Sequence, residues 1–148
     1  MQPSTHLAID PRLCGTALSL AEGAASARLT TLPEMAADAR GLVHGGFVFG
    51  LADYAAMLAI NEPNVVLGSA EVRLLAPVSV GDQLRAEAKR VRSEGKKQIV
   101  EVSVFKNSAS EDERVFFGTF VCFVPAQHVL EAKGQAHEPV REQEKADP

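Results

Sequence analysis

A His-Gly-Gly triplet, His44 to Gly46, stands six residues ahead of a single carboxylate, Asp53, in the stretch GLVHGGFVFGLADYAAMLAIN. The run Gly46 to Ile60 is the one long apolar helix expected in the chain, stopped by Asn61 and Pro63, so the triplet lies at its entry. A helix N-terminus exposes unpaired N–H groups and a partial positive charge, and glycines there let a ligand oxygen come close. That environment suits an oxyanion, and hence acyl chemistry. A carboxylate in an apolar helix loses hydration, which is costly unless it is paired or its pKa rises. Function is one reason for such a placement; capping a backbone or pairing with an arginine such as Arg73 is the other. His44 can orient the turn by hydrogen bonding or take a chemical part.

The elements that must position these residues are mostly strands. Thr16 to Leu20 and Ala24 to Thr31 alternate as half-buried strands do and read as a hairpin turning at Glu22-Gly23. Leu32 to Val43 has no sustained apolar period and reads as a loop with one helical turn. After the helix, Val65 to Leu75, Gln83 to Arg92, Gln98 to Lys106 and Arg114 to Val124 are alternating or β-branched runs. Their separators, PVSVGD, RSEGKK and NSASEDE, read as hairpin-like links between antiparallel neighbours. The expectation is an α+β fold, β-β-α-β-β-β-β, in which a bent antiparallel sheet wraps one central helix. Gly46, Gly50 and several alanines allow close approach to that helix. Residues 1–125 form a single domain, and the polar residues 126–148 are expected to be a partly disordered tail.

Composition narrows the function. The 148 residues are 46% hydrophobic, enough for one packed core, and the net charge of −4 with dispersed cations offers no polybasic face for nucleic acid or membrane. No apolar run is long enough to span a bilayer and the N-terminus lacks a leader pattern, so a soluble cytoplasmic protein is expected. Cys14 and Cys122 read as packing residues. No His/Cys/Asp/Glu set has metal-ligand spacing, and His6, His128 and His137 fall near the termini, so no metal is expected. A GxSxG elbow is absent, and GLVHGG is not the GxGxxG of a dinucleotide fold.

The pattern HGG-x6-D, followed by a strand ending at Pro77 and by VGD at Val80 to Asp82, resembles the hotdog-fold acyl-CoA thioesterases of the 4-hydroxybenzoyl-CoA thioesterase superfamily, the phenylacetate-pathway subgroup most closely. The resemblance covers Thr16 to Val124. It implies that Gly45, with Gly46, polarises the thioester carbonyl, that Asp53 is nucleophile or general base, and that His44 orients the loop. Asp38 stands where the family often has Asn, and Ser69 lies near, though out of register with, a family Ser or Thr. No cofactor is implied beyond the CoA of the substrate. For the CoA phosphates the basic segment RVRSEGKK, with Arg92, Lys96 and Lys97, is the first choice, with Arg73 or Arg40 next. Phe47, Phe49, Tyr54 and Met57 could line an acyl pocket or simply pack.

Gly45 and Asp53 are eight residues apart, roughly 12 Å along a helix, too far to meet on one thioester carbon. A two-fold homodimer that faces one helix entry with the partner's Asp53 resolves this, and the resembled family is built so, as a dimer or as a tetramer of two dimers. Two rivals share the fold. An enoyl hydratase or dehydratase would carry D-x4-H, whereas five residues separate Asp38 from His44, and the HFPxxPxMPG segment is missing. A non-catalytic acyl-CoA binding or regulatory module would have no need of Asp53, and no helix-turn-helix is attached.

Overall fold

The computed structural model describes residues 1–107 and 112–131. A short helix α1 (Pro11–Cys14) leads to strands β1 (Thr16–Ala21) and β2 (Ala24–Thr30), and a 3-10 turn (Pro33–Met35) precedes the long helix α2 (Gly45–Ile60). Strands β3 (Val66–Leu74), β4 (Gln83–Glu94), β5 (Lys97–Lys106) and β6 (Glu113–Phe123) follow. All six strands join one antiparallel sheet in the order β1-β2-β4-β5-β6-β3. The single long helix held against this curved sheet is the α+β hotdog architecture that the resemblance implies.

The period-two pattern sets the face of each strand. On β2, Ala25, Ala27 and Leu29 enter the core while Arg28 and Thr30 stay exposed, and Gly23, at φ 75°, makes the turn back from β1. Opposite them, Leu51, Ala52, Ala55, Ala56 and Leu58 of α2 are wholly buried. The alanines let the sheet come close, so the helix is packed chiefly on β2, β4 and β5. Asn61 ends α2 in the left-handed conformation, φ 55°, with its N–H on Met57 O at 2.7 Å, a position Asn tolerates better than most residues. Its side chain ties down the N-terminus by accepting from Ser4 N–H and donating to Gln2 O. His6 packs near Tyr54, their rings 6.5 Å apart, so it belongs to the body of the domain.

Three expectations need correction. The links between later strands are not all hairpins: β3 pairs with β6, not β4, and residues 75–82 cross the end of the sheet from its edge to its middle. That crossing is held by the loop before α2, through Val43 N–H on Val78 O at 2.8 Å and a bridge between Leu42 and Ser79. A short link therefore says only that two strands run opposite ways, because other hydrogen bonds can hold it across several strands. Helix α1 was not anticipated, although Asp10 caps it by accepting from Arg12 N–H and Pro11 opens it, both readable start signals. Cys14 is only half-buried, whereas Cys122 is fully buried as expected. Beyond Ala126 a helical turn is seen at residues 129–131, and the rest of the expected tail lies outside the described residues.

Candidate active site

The approach to α2 is rigid for reasons legible in its hydrogen bonds. Asp38 Oδ1 accepts from Arg40 N–H at 2.9 Å and Leu42 N–H at 3.1 Å, so this carboxylate is occupied in shaping the loop. His44 N–H donates to Met35 O at 2.9 Å, anchoring the triplet to the fully buried Met35. As N-cap, His44 also turns its ring back, and Nδ1 accepts from Gly46 N–H at 2.8 Å. Nδ1 is thereby taken up as an acceptor. A Cβ on Gly46 would lie 2.9 Å from that Nδ1, which is why glycine is needed there. Of the two glycine amides expected to hold an oxyanion, Gly46 is engaged by His44. Gly45 N–H meets no acceptor among the described residues and opens beside a groove of about 320 Å³ lined by Leu42, Val48, Leu74, Pro77 and Val78.

Further along α2, Gly46, Phe49, Gly50 and Asp53 form one partly exposed stripe at three- and four-residue spacing. Phe49 sits 5.5 Å from the ring of Phe120 and 6.5 Å from that of Phe116, so the stripe looks toward β6 and the β3 edge. A Cβ on Gly50 would meet nothing within 4 Å, leaving open space beside Asp53. Asp53 Oδ1 is buried with no hydrogen-bond partner among the described residues. Loss of hydration pushes its pKa up to about 6 in the single chain. Burial, with a smaller push from the Asp53 charge, raises the Cys122 thiol to about 12; burial, Asp10 and Asp53 raise Cys14. Both thiols thus feel the Asp53 charge, a proximity the sequence could not signal because it depends on how β6 and α1 fold around the helix. A carboxylate whose Oδ1 is buried without a partner, on a stripe left open at Gly50, is equipped to take a proton or attack a carbonyl.

The remaining candidates are spread over the molecule. Arg73 points to the face of the sheet opposite α2, beside Phe117, because Val72 on the same strand packs inward. It does not pair with Asp53. Ser69 is exposed next to a bulge in β3. Lys96 lies in the β4–β5 turn and Lys97 opens β5; this turn borders a hollow of about 270 Å³ with Ile60 and Glu62, at the C-terminal end of α2. Arg92 is engaged by Glu94 at 2.6 Å. Fifteen helical steps, roughly 22 Å, separate that end from Gly45, whereas Asp53 is only about 10 Å from it. Phe47 and Phe49 border the partly exposed stripe, but Tyr54 and Met57 are buried core. No group of three or more potential metal ligands occurs among the described residues, and no helix is long and apolar enough to cross a membrane.

One long helix with a partly open, carboxylate-bearing stripe against a six-stranded sheet defines a hotdog protein. The model of the thioesterase superfamily matches residues 40–112, from the loop before His44 to the residue ahead of β6. It is 52% identical to uncharacterized protein PH1136 of Pyrococcus horikoshii, with a TM-score of 0.84 over 88% of this chain and 97% of that one. A mutant of the phenylacetic acid degradation protein PaaI of Thermus thermophilus is 28% identical, with a TM-score of 0.67 over 76% of this chain and 95% of that one. Among curated relatives, 121 residues are 47% identical to methylthioribose-1-phosphate isomerase of Aquifex aeolicus, covering 82% of this chain and 26% of that protein. A further 28% identity over 97 residues relates it to transcription factor FapR of Caldanaerobacter subterraneus, covering 66% of this chain and 46% of that protein. The chain thus spans less than half the length of these curated relatives.

Proposed function

We propose that the protein is a cytoplasmic acyl-CoA thioesterase, cleaving an acyl-CoA to the free acid and CoA at sites shared between two chains. The observation that carries this reading is the buried, unpartnered Asp53 carboxylate with its pKa raised to about 6, in a chain that the thioesterase superfamily model matches. The free N–H of Gly45 polarises the thioester carbonyl and receives the developing oxyanion, helped by the positive end of α2. Asp53 of the partner subunit attacks the carbonyl carbon, or takes a proton from the water that does. The C–S bond then breaks and CoA leaves as thiolate or thiol; on the nucleophilic route water then hydrolyses the acyl–aspartyl anhydride, releasing the acid and restoring Asp53. His44 positions Gly45 by capping the helix through Gly46, with Nδ1 taken up as the acceptor.

Sharing also assigns the basic turn. Arg92, Lys96 and Lys97 lie nearer to Asp53 than to Gly45 of their own chain, so in a shared site the chain that gives the carboxylate also gives the cations for the nucleotide phosphates. The carbonyl donor comes from the other chain. Purified protein tested against short, medium, long and aromatic acyl-CoAs, with free thiol followed, should show turnover on at least one class. Absence of thiol release from every class, with acyl-CoA binding retained, would favour the second reading: a non-catalytic acyl-CoA-responsive module. The relationship to transcription factor FapR supports that alternative.

A further inference from the structure

Residues 75–82 cross the end of the sheet, and Leu75, Pro77 and Val78 among them wall the groove beside Gly45. A crossing loop lies outside the sheet ladder, so its polar groups need other partners. Ser79 N–H donates to Asp82 Oδ2 at 2.8 Å and Asp82 N–H to Ser79 O at 3.0 Å, closing a turn that Gly81 completes at φ 97°. Two side chains then fasten this turn to the sheet. Just past β2, the buried Thr31 hydroxyl lies 3.0 Å from Ser79 O and 2.9 Å from Asp82 O, sharing its one hydrogen between them. Lys106, the last residue of β5, holds the other end. Its ammonium donates to Pro77 O at 2.9 Å and stands 3.8 Å from Asp82 Oδ2 and 3.7 Å from Glu113 Oε1, with the side chain only 20% exposed. Three donors on one tetrahedral head suit three acceptors on separate residues.

The ion pairs of Lys106 would by themselves mean little at a surface. The carbonyl it holds is what matters. Pro77 leads to Val78, whose O accepts from Val43 N–H at 2.8 Å; Ser79 then bridges Leu42, and Val80 N–H donates to Gly41 O at 2.8 Å. Among the described residues these are the backbone hydrogen bonds that reach the loop before α2 from outside it. Val43 directly precedes His44, the cap of α2. A continuous run of bonds therefore leads from the Lys106 ammonium through Pro77, Val78 and Val43 to the free N–H of Gly45.

We propose that Lys106 is a positioning residue for the oxyanion donor: by holding Pro77 O it sets the helix entry against the groove wall, and so sets where a thioester carbonyl meets Gly45 N–H. The oxyanion role rests on the thioesterase reading above; the link from Lys106 to the helix entry does not. A hydrogen bond to an oxyanion strengthens as charge develops, so a displaced donor is felt in the transition state more than in ground-state binding. Small misplacements of such a donor are costly in rate. The effect of losing the ammonium should therefore fall on kcat.

Three substitutions and two measurements test this. Lys106→Met keeps most of the stem and removes the ammonium, Lys106→Arg keeps a donor and the charge, and Glu113→Gln removes one ion pair while leaving Pro77 O held. On the best acyl-CoA, folded Lys106→Met should lose about tenfold in kcat with KM within about twofold, and Lys106→Arg should return kcat to within about threefold of wild type. Glu113→Gln should change neither by more than about twofold. Amide hydrogen exchange reads the link without any substrate: Val43 and Val80 should exchange about tenfold faster in Lys106→Met, while Val100 and Val102 in the middle of β5 keep their rates. If Lys106→Met does not fold, Lys106→Gln, neutral and shorter, carries the same expectations. An equal fall in kcat for Glu113→Gln, a parallel change of KM and kcat in Lys106→Met, or unchanged exchange at Val43 would overturn the proposal. Wild type that releases no thiol from any acyl-CoA, with faster exchange at Val43 in Lys106→Met, would remove the thioesterase reading and the oxyanion role while keeping the link. Active wild type with Lys106→Met unaltered in rate and exchange would do the reverse.

Discussion

The two halves of α2 have different tasks although both are predominantly apolar. From Tyr54 to Ile60 every residue is buried, and the helix is simply the core of the domain. From Gly45 to Asp53 only Val48, Leu51 and Ala52 are buried, and the opposite side is an open stripe of glycine, phenylalanine and one carboxylate. The sheet makes the difference: α2 packs chiefly on β2, β4 and β5, while on the β6 and β3 side its first half is covered only in part, by Phe49 on Phe116 and Phe120 and by Leu74 beside Gly45. Chemistry is confined to the part of a core element that the fold does not cover, so substitutions in the two halves should fail in different ways.

The largest expected contrast is between Asp53→Asn and Leu58→Ala. The amide is nearly isosteric with the carboxylate, so the variant should fold while turnover on the best substrate falls by at least about 100-fold. Leu58 is wholly buried, and its truncation should cost about 2–5 kcal/mol of stability while the protein that remains folded keeps near-normal turnover. Chemical denaturation paired with thiol release reads both quantities. If Asp53→Asn retains near-normal turnover, the division of the helix into a chemical and a structural half is wrong.

Next in size is the complementation of two inactive proteins. Gly45→Pro removes the free N–H, and Asp53→Ala removes the carboxylate. In a mixed two-fold dimer, one shared site collects both lesions and the other collects neither. After random exchange, about a quarter of wild-type activity should return. The proline variant must first be shown folded and dimeric, since proline at a helix entry can also distort it. With exchange proved by labelled subunits, no recovery would place Gly45 and Asp53 in one chain's chemistry or remove one of them from it.

Much of this division was legible from the residues. The bounds of α2 are readable to within one residue, because an apolar run between a glycine pair and Asn-Glu-Pro has few other solutions. The oddity of Asp53 is readable too, because a lone carboxylate in such a run must be solvated, paired or functional. Which side of α2 stays open is not legible, since it depends on β3 lying beside β6, and the short link after β3 suggested a hairpin with β4 instead. The engagement of Gly46 by His44 was likewise hidden, because capping by an imidazole depends on a ring orientation that spacing does not encode. That Arg73 does not pair with Asp53, the alternative to a functional carboxylate, was hidden for a simpler reason: strand alternation gives its parity, but the inward face was known only once Val72 was seen to pack.

A pH titration of stability sharpens the contrast at Asp53 itself. Its folded-state pKa, about 6, lies above the ordinary value of 3.8, so its protonated form stabilises the fold. That contribution is complete below about pH 4 and is lost as pH rises through 6. The unfolding free energy of wild type relative to Asp53→Asn should therefore fall by roughly 2–3 kcal/mol between pH 4 and 7. Amides of the partner's helix entry would favour the carboxylate and shrink this fall in the assembled dimer, so it should be larger at protein concentrations where subunits separate. A difference flat with pH at every concentration would show a carboxylate that is solvated or paired, against the buried and unpartnered Oδ1.

The smallest expected effect lies beyond the structural half of the helix, at the β4–β5 turn. Replacing Lys96 and Lys97 by alanine removes cations remote from the carbonyl, whose contacts with phosphate would be made equally in ground and transition states. KM for acyl-CoA should rise about three- to tenfold with kcat nearly constant, and the rise should shrink as salt is added. A substrate that carries the acyl thioester on pantetheine without the nucleotide provides the control, and its KM should not respond. Equal effects on both substrates would mean that the substitutions act through the fold, by loosening the turn where Val124 N–H meets Lys96 O. An unchanged KM for acyl-CoA would move the nucleotide away from this turn and leave Arg40, on the exposed loop before α2, as the next cation to test.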